Sequence, residues 1–309
     1  MKILFLSITS LFICCSNKEI KQAELLPECK YALDSIVCMY TEPSGGKIAE
    51  FKALKNSLDS VASVLKERGF CTLTPQQKVD GLNKLLFEEQ GIRFTPGSTE
   101  GGASLPQYGW QTREGSCLSV SLLYLMLAER TGCISLHGVM LPGHFFVRHD
   151  DGSYVRNIEP NREGYSHPDS YYVERYGVAD NSFYKLRNCG RKEIEAVLAY
   201  NAGLVMYRKG NASEAEEFFR KALSLVPEYP DAMGNLALTL AEGKKNDSAL
   251  VVLSNYVRLY PGDKKGHINL GLLYKRAEMR DSALRVFNSA ALIFPDDSII
   301  ISECKRLIF

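Results

Sequence analysis

The C-terminal third of the chain is built on a repeated unit whose first copy includes NAGLVMYRKGNASEAEEFFRKALSLVPEYP at residues 201–230. Small, apolar and proline residues recur with a period of 34 residues, in units at residues 196–229, 230–263 and 264–297. A period of this length is typical of a helical pair that stacks on its neighbours. Small residues let the two helices approach closely, and the proline ends the second helix. The residues in register are Gly203, Ala215, Phe219, Ala222 and Pro227, then Ala237, Ala249, Leu253, Tyr256 and Pro261, then Gly271, Ala283, Phe287, Ala290 and Pro295.

These units resemble tetratricopeptide repeats, each of which is a pair of antiparallel helices. The resemblance implies an all-α solenoid over residues 191–309, for which three units are about the minimum. The last unit needs a cover, so residues 298–309 are predicted to form a capping helix. The resemblance also implies a protein or peptide partner, held in the groove of the array.

The composition indicates a globular protein of about two domains. The chain has 309 residues, and domains of roughly 150 residues are common. Hydrophobic residues make up 45% and charged residues 24% of the sequence, which is ordinary for a globular protein. The formal net charge is +1 and no long basic run occurs, so nucleic acid is not an expected partner.

The first 15 residues are predicted to be a targeting signal rather than part of the fold. Lys2 precedes a largely apolar run to Ile13, which is too short to span a membrane but suits a signal peptide. The run ends in Cys14 and Cys15 and resembles a bacterial lipoprotein signal, which implies a lipid on Cys15. Lipidation of Cys14 and an ordinary cleaved secretory signal are the alternatives. We therefore expect an extracytoplasmic protein anchored by lipid to a bacterial membrane, in the periplasm or at the outer membrane.

The nine cysteines are too dispersed for a metal site. No close pair of cysteines faces another close pair or a cluster of histidines, so neither a metal nor another cofactor is predicted. In an oxidising compartment, Cys29 and Cys38 are candidates for a disulfide, which the sequence alone does not establish.

One cysteine lies where a reactive thiol is expected. Gly115, Ser116 and Cys117 precede residues 118–130, a stretch dominated by leucine, valine, tyrosine and methionine. A helix that is apolar on nearly all sides is predicted to be buried at the centre of a domain. Cys117 then lies at its N-terminal end, where exposed amide donors and the helix dipole favour a thiolate. A packing role is the alternative, because buried structural cysteines are common.

A predicted hairpin downstream brings a histidine beside a carboxylate. Its strands are expected at residues 137–141, 144–149 and 154–159. A two-residue loop at Asp151-Gly152, a strong hairpin signal, places His144 opposite Glu159 and Phe146 opposite Asn157. Directly opposed residues share one face of a sheet. An imidazole oriented by a carboxylate is what a general base for a thiol requires.

Three segments resemble the transglutaminase-like superfamily, in the bacterial branch that often joins this domain to tetratricopeptide repeats. They are REGSCLSVSLLYL at residues 113–125, PGHFFVR at residues 142–148 and RNIE at residues 156–159. The resemblance implies an α+β transglutaminase-like (papain-like) domain over residues 16–190. It also implies a catalytic triad of Cys117, His144 and Glu159. The superfamily usually has aspartate at the third position, so Asn157 is the alternative, as asparagine orients the histidine in related cysteine proteases.

Trp110 and Gln111, which precede Cys117 in the sequence, are candidates for lining an acyl pocket. The side-chain amide of Gln111 is also a candidate oxyanion donor. The resemblance implies a cysteine-dependent hydrolase or acyl-transferase that acts on a peptide or amide bond, with the repeats binding a protein or peptide. The alternative is a non-catalytic interaction scaffold, because some members of this branch lack the cysteine.

Overall fold

The computed structural model describes residues 29–95, 102–178 and 183–308. The predicted signal segment, with Cys14 and Cys15, lies outside the described residues. The N-terminal part consists of α1 (Ala32–Thr41), α2 (Ile48–Glu67), α3 (Pro75–Asn83), β1 (Arg93–Phe94), α4 (Pro106–Thr112), β2 (Glu114–Gly115), α5 (Cys117–Thr131), β3 (Leu136–Leu141), β4 (His144–Asp150), β5 (Val155–Ile158) and α6 (Asp169–Tyr176). The C-terminal part consists of α7 (Arg191–Arg208), α8 (Ala212–Leu225), α9 (Pro230–Glu242), α10 (Asn246–Leu259), α11 (Lys264–Arg276), α12 (Arg280–Ile293) and α13 (Ser298–Ile308).

The predicted fold class is confirmed: an α+β domain precedes an all-helical array. The larger sheet of the first domain has the order β3-β4-β5 and is antiparallel throughout, while β1 and β2 form a separate parallel pair. In the parts of the chain that the structure describes, no helix combines the length and the apolar character needed to cross a membrane.

Helix α5 is the centre of the first domain, as its apolar sequence predicts. Ser116 caps its N-terminus by accepting a hydrogen bond from the backbone N–H of Ser119. At its other end the guanidinium of Arg130 is fully buried and forms ion pairs with Asp34 of α1, at 2.9 Å, and with Asp59 of α2, at 2.8 Å. Arg130 therefore ties α1 and α2 to the helix that begins with Cys117.

The loop between β4 and β5 is longer than the sequence suggested. Asp150 pairs with Val155 and Arg148 with Asn157, so four residues rather than two connect the strands. Asp151 accounts for the longer loop, because its carboxylate accepts hydrogen bonds from the backbone N–H groups of residues 153 and 154. The predicted pairings of His144 with Glu159 and of Phe146 with Asn157 are wrong by two residues.

His144 and Glu159 share one face of the sheet despite the error in the predicted register. Side chains alternate between the two faces of a strand with a period of two. A shift of two residues therefore keeps His144 and Glu159 on the same face, whereas a shift of one would have separated them. In the observed register the two residues are diagonal neighbours rather than directly opposed.

A disulfide that the sequence did not reveal joins Cys71 to Cys133. These cysteines follow α2 and α5, and the packing of those helices brings their Cα atoms to 5.4 Å, a normal separation for a disulfide. The candidate bridge between Cys29 and Cys38 is not formed. Cys38 is instead a buried thiol beside Cys29, and burial raises its pKa to about 11.

The repeats are packed by matching the size of facing residues. A methyl group added to Gly203 would come within 2.7 Å of the Phe219 ring, and one added to Gly271 would come within 2.5 Å of Phe287. The middle unit has the larger alanine at this position, Ala237, and the smaller Leu253 in place of the phenylalanine. Each unit thus combines either glycine with phenylalanine or alanine with leucine.

The two parts of the molecule share one hydrophobic core. It runs from Leu33 of α1, through α5, to Ala232 of α9, so the first repeat packs directly on the domain that contains Cys117. At the far end, α13 covers the last repeat by burying Ile300 and Leu307 against Phe287.

Candidate active site

Cys117 is the first residue of α5, at the point where the chain enters the core. The side chain is half-buried, while the helical residues that follow it are almost all fully buried. The first amide groups of a helix have no partner within the helix, and they point towards its N-terminus. Cys117 therefore lies beside backbone donors that can bind a negatively charged oxygen.

His144, the first residue of β4, is oriented by a carboxylate. Its Nε2 lies 3.0 Å from Oε2 of Glu159, and both side chains are buried. A carboxylate accepts hydrogen bonds, so Nε2 carries the proton in this pair. The other oxygen of Glu159 accepts a hydrogen bond from the backbone N–H of Asn161. Glu159 is thus fixed through its second oxygen, and Nδ1 is the ring nitrogen of His144 that remains available to Cys117.

The environment of His144 favours its charged form. Burial alone lowers the pKa of the imidazole, but hydrogen bonds to Cys117 and Glu159 and the negative charges of these groups outweigh that effect. The result is a pKa raised to about 9. The shift favours the imidazolium form, a cation placed between the sulfur of Cys117 and the carboxylate of Glu159.

Asn157 makes other contacts. Its Oδ1 accepts a hydrogen bond from Nε of Arg148, at 2.8 Å, and its Nδ2 donates to Oδ1 of Asp169, at 2.7 Å, and to the carbonyl of His167. Both polar atoms of the amide are therefore engaged away from His144. Of the two candidates for the third position, Glu159 is the one that the structure brings to the histidine.

Trp110 and Gln111 lie on α4, immediately before the segment that leads to Cys117. The Trp110 ring is almost completely buried in the core, with the guanidinium of Arg113 5.6 Å from its centre. Gln111 is exposed, and its side chain makes no hydrogen bond to any residue that the structure describes. The oxyanion role of Gln111 stays a prediction, while the amide groups at the start of α5 lie closer to the cysteine.

Aromatic residues of α6 complete the surroundings of the histidine. Tyr176 stacks on the His144 ring with centroids 5.1 Å apart and an angle of 1° between the planes. Tyr172, one turn earlier, stacks on Phe146 at 4.2 Å. Neither tyrosine was among the site residues predicted from the sequence. The signal was present in the spacing of four, which places two aromatic rings on one face of a helix.

A cleft between the two parts of the molecule is lined by residues that are close in sequence to His144 and Tyr176. Its volume is about 710 Å³, and it is lined on one side by Pro142 and Gly177. Those residues stand two before His144 and one after Tyr176. The other side is formed by the second and third repeats, including Asn235 of α9, Tyr256 of α10 and Asn269 of α11. Within the residues described, no group of three or more histidine, cysteine or acidic side chains is arranged to hold a metal ion.

Comparisons with known proteins agree with this architecture. A model described as the transglutaminase-like superfamily matches residues 52–174, and a tetratricopeptide repeat model matches residues 206–263. Among curated proteins, the protein O-mannosyl-transferase Tmtc3 of Drosophila melanogaster is 36% identical over 116 residues, or 35% of this chain. The TPR repeat-containing thioredoxin TTL4 of Arabidopsis thaliana is 38% identical over 84 residues, or 27% of this chain. The match spans 12% of the length of each of these relatives.

Among solved structures, the second tetratricopeptide domain of human RPAP3, in complex with an HSP70 peptide, aligns with a TM-score of 0.35 and 14% identity. The alignment covers 38% of this chain and 98% of that domain. The two family models show that the chain carries a transglutaminase-like domain, matched over residues 52–174, followed by tetratricopeptide repeats, matched over residues 206–263.

Proposed function

We propose that the protein is a cysteine-dependent hydrolase or acyl-transferase that acts on a peptide or amide bond. The observation that supports this proposal is the grouping of three side chains: Cys117 at the start of a buried helix, His144, whose pKa Cys117 raises, and Glu159, which is hydrogen-bonded to His144. A thiol, an imidazole and a group that orients the imidazole are the parts that nucleophilic acyl chemistry needs.

In the proposed reaction, the Cys117 sulfur attacks the carbonyl carbon of the substrate while His144 is an imidazolium. The amide groups at the start of α5 stabilise the oxygen as it becomes negative. The C–N bond then breaks, and His144 gives its proton to the leaving amine. Water or a second amine attacks the resulting thioester, loses its proton to His144 and releases Cys117. Water gives hydrolysis, and an amine gives acyl transfer.

We assign the repeats to binding the protein or peptide partner. Tetratricopeptide arrays present an extended concave surface to such ligands. Here the cleft on the inner side of the repeats reaches Pro142 and Gly177, next to the elements that carry His144 and its stacking tyrosine. A polypeptide bound along the repeats would therefore approach the catalytic domain on the side of the histidine.

We also propose an extracytoplasmic, lipid-anchored location. The apolar run before Cys15 supports it, and so does the disulfide between Cys71 and Cys133, since disulfides persist mainly in oxidising compartments. Fractionation of bacteria that express the full chain tests the anchor. The wild type is expected in the membrane fraction, and Cys15→Ser is expected to leave that fraction. Retention of Cys15→Ser together with loss of Cys14→Ser would move the lipid to Cys14.

The experiment that tests the catalytic proposal is alkylation of Cys117 by iodoacetamide, followed by mass spectrometry of the peptide that carries it. In the wild type we expect reaction near pH 6, where an ordinary thiol with a pKa of about 8.5 is almost unreactive. His144→Ala should lower the rate at that pH by about 100-fold, because it removes the cation that accompanies the thiolate. Glu159→Gln should lower it less, by about tenfold.

Asn157→Ala is the matched control for Glu159→Gln, since the two residues were the alternatives for the third position. We expect its effect to be smaller than that of Glu159→Gln. Cys304, a half-exposed thiol on α13, serves as the internal reference for reagent and pH. Equal rates in the wild type and His144→Ala at pH 6 would refute the enzyme and favour the interaction scaffold.

A further inference from the structure

Two pairs of stacked rings, one of which contains His144, lie between a strand and a helix. His144 and Phe146 stand two residues apart on β4, and Tyr176 and Tyr172 stand four apart on α6. Both spacings place successive side chains on one face of their element. The two rings of each pair are nearly parallel, with an angle of 1° between the planes of His144 and Tyr176 and of 6° between those of Phe146 and Tyr172.

The helix that supplies the tyrosines is fastened at its other end. Asp169, the first residue of α6, accepts hydrogen bonds from Nη2 of Arg148 and from Nδ2 of Asn157, each at 2.7 Å. Arg148 also donates to Oδ1 of Asn157 and to the carbonyl of Leu186. The start of α6 is thus fixed to β4 and β5, and its end carries the ring that covers His144.

This arrangement gives a physical role to Asn157, a residue that was a candidate for direct contact with the histidine. It holds Asp169, and through α6 it determines where Tyr176 lies. We infer that Tyr176 is a positioning residue for the His144 imidazole, and that Arg148, Asn157 and Asp169 act through it by anchoring α6. The inference rests on the proposed function, because it concerns the group that is assigned to proton transfer.

Tyr176 has two effects on the imidazole. Its parallel ring restricts rotation of His144 and so keeps Nε2 towards Glu159 and Nδ1 towards Cys117. Offset stacking of aromatic rings at 4.5–7 Å is favourable beyond the burial of area, and the face of a tyrosine attracts a cation. The charged form of His144 is therefore preferred while it lies against Tyr176.

The other charged or titratable groups around the imidazole come from three elements. Cys117 approaches from α5, Glu159 follows β5, and Tyr172 stands on α6 with Arg175. The guanidinium of Arg175 lies 5.9 Å from the centre of the Tyr176 ring. Of these groups, only the two tyrosines can be altered without changing a formal charge near neutral pH.

The test uses the full chain and the rate of Cys117 alkylation by iodoacetamide between about pH 5 and pH 9. Tyr176→Leu keeps an apolar side chain but removes the aromatic ring. We expect the rate of Cys117 alkylation at pH 6 to fall about tenfold and the pH profile of that rate to shift to higher pH. Tyr176→Phe keeps the ring, so its rate should stay within about twofold of the wild type.

Tyr171→Leu is the matched control, because Tyr171 lies on the same helix and stacks on His167 at 3.7 Å rather than on His144. Its profile should overlap that of the wild type. Asp169→Asn tests the anchor and should lower the alkylation rate at pH 6 about threefold. The double variant Asp169→Asn with Tyr176→Leu should not recover the wild-type rate. Fluorescence of Trp110, the single tryptophan of the chain, verifies that each variant is folded.

Two outcomes overturn the inference. One is a Tyr176→Leu profile identical to that of the wild type, and the other is a Tyr176→Phe rate as low as that of Tyr176→Leu, which would assign the effect to the hydroxyl group. Either result leaves the proposed function standing as long as His144→Ala abolishes the reaction at pH 6. If His144→Ala also reacts like the wild type, the proposed function itself fails.

Discussion

The transglutaminase-like domain and the repeats are stabilised by different kinds of contact. In the first domain, buried charged and polar groups join distant segments, as in the ion pair between Arg130 and Asp34 and the hydrogen bond between His144 and Glu159. In the repeats, buried positions are mainly alanine, leucine and aromatic residues of the same or the next unit. The same kind of mutation is therefore expected to have different consequences in the two parts. Charge and orientation dominate in the first domain, and size dominates in the repeats.

The chain offers a convenient way to separate these two responses. Its only tryptophan, Trp110, is buried in the first domain, so fluorescence reports the unfolding of that domain. The helical signal in circular dichroism comes in large part from α7 to α13. Urea unfolding followed by both methods therefore measures the two regions in one sample.

The largest effect on stability is expected from Asp34→Ala. The side chains of Asp34 and Arg130 are fully buried, so the substitution leaves a buried guanidinium without its fully buried carboxylate partner. The free energy of unfolding followed by Trp110 fluorescence should fall by about 4 kcal/mol.

Asp59→Ala provides the matched control for this prediction. Asp59 also binds Arg130, but its side chain is half-exposed and solvent screens the pair. We expect a loss of less than about 1 kcal/mol. Equal losses for the two variants would show that burial of the charge does not determine the loss of unfolding free energy. Charge would then not distinguish the first domain from the repeats.

The next effect concerns pH. The pKa of His144 in the folded protein, raised to about 9, lies above its ordinary value of 6.5, so the folded state binds its proton more tightly than the unfolded state does. The stability that this proton contributes is complete below pH 6.5 and is lost as the pH rises through 9. With about 1.4 kcal/mol for each pKa unit, the loss should be about 3 kcal/mol.

Urea midpoints at a series of pH values, followed by Trp110 fluorescence, measure this loss. His144→Gln removes the titrating group and should flatten the curve between pH 6.5 and 9. A wild-type curve that is already flat over this interval would contradict the prediction, and would mean that the charged imidazole is not favoured by its neighbours.

The smallest of the three effects is expected in the repeats. Gly271→Ala places a methyl group against the buried ring of Phe287, and overpacking of this kind should lower the free energy of unfolding by about 2 kcal/mol. The loss should be seen by circular dichroism, while the Trp110 transition should be nearly unchanged.

The middle repeat supplies the compensating change. It combines Ala237 with Leu253, so Phe287→Leu added to Gly271→Ala recreates a pair that the chain already uses. We expect the double variant to be more stable than Gly271→Ala alone, which is a coupling that a double-mutant cycle measures. Additive losses would show that size matching between these positions is not what packs the repeats.

Much of this architecture was predictable from the sequence, and the exceptions follow a pattern. The start of α3 depends on a local signal, because Thr74 and Gln77 form a capping box within three residues of each other. The loop between β4 and β5 was predicted with the wrong length, because the Asp151 side chain binds the backbone of the turn and Asp-Gly alone does not encode that. The face shared by His144 and Glu159 was still predicted, since a shift of two residues preserves it.

Features that depend on near neighbours along the chain could be predicted from the sequence alone. These are the 34-residue period of the repeats, the buried helix that starts at Cys117 and the alternation of side chains in the hairpin. Local periodicity encodes them, because a helix and a strand each repeat their faces at a constant spacing.

Only the tertiary structure decided which distant groups meet. It selected Glu159 rather than Asn157 for contact with His144, joined Cys71 to Cys133 across 62 residues and laid Tyr176 on the imidazole. Each of these contacts depends on how whole elements pack and on the register between strands. A shift of one residue or of one helical turn, which leaves the local pattern unchanged, would replace every one of them.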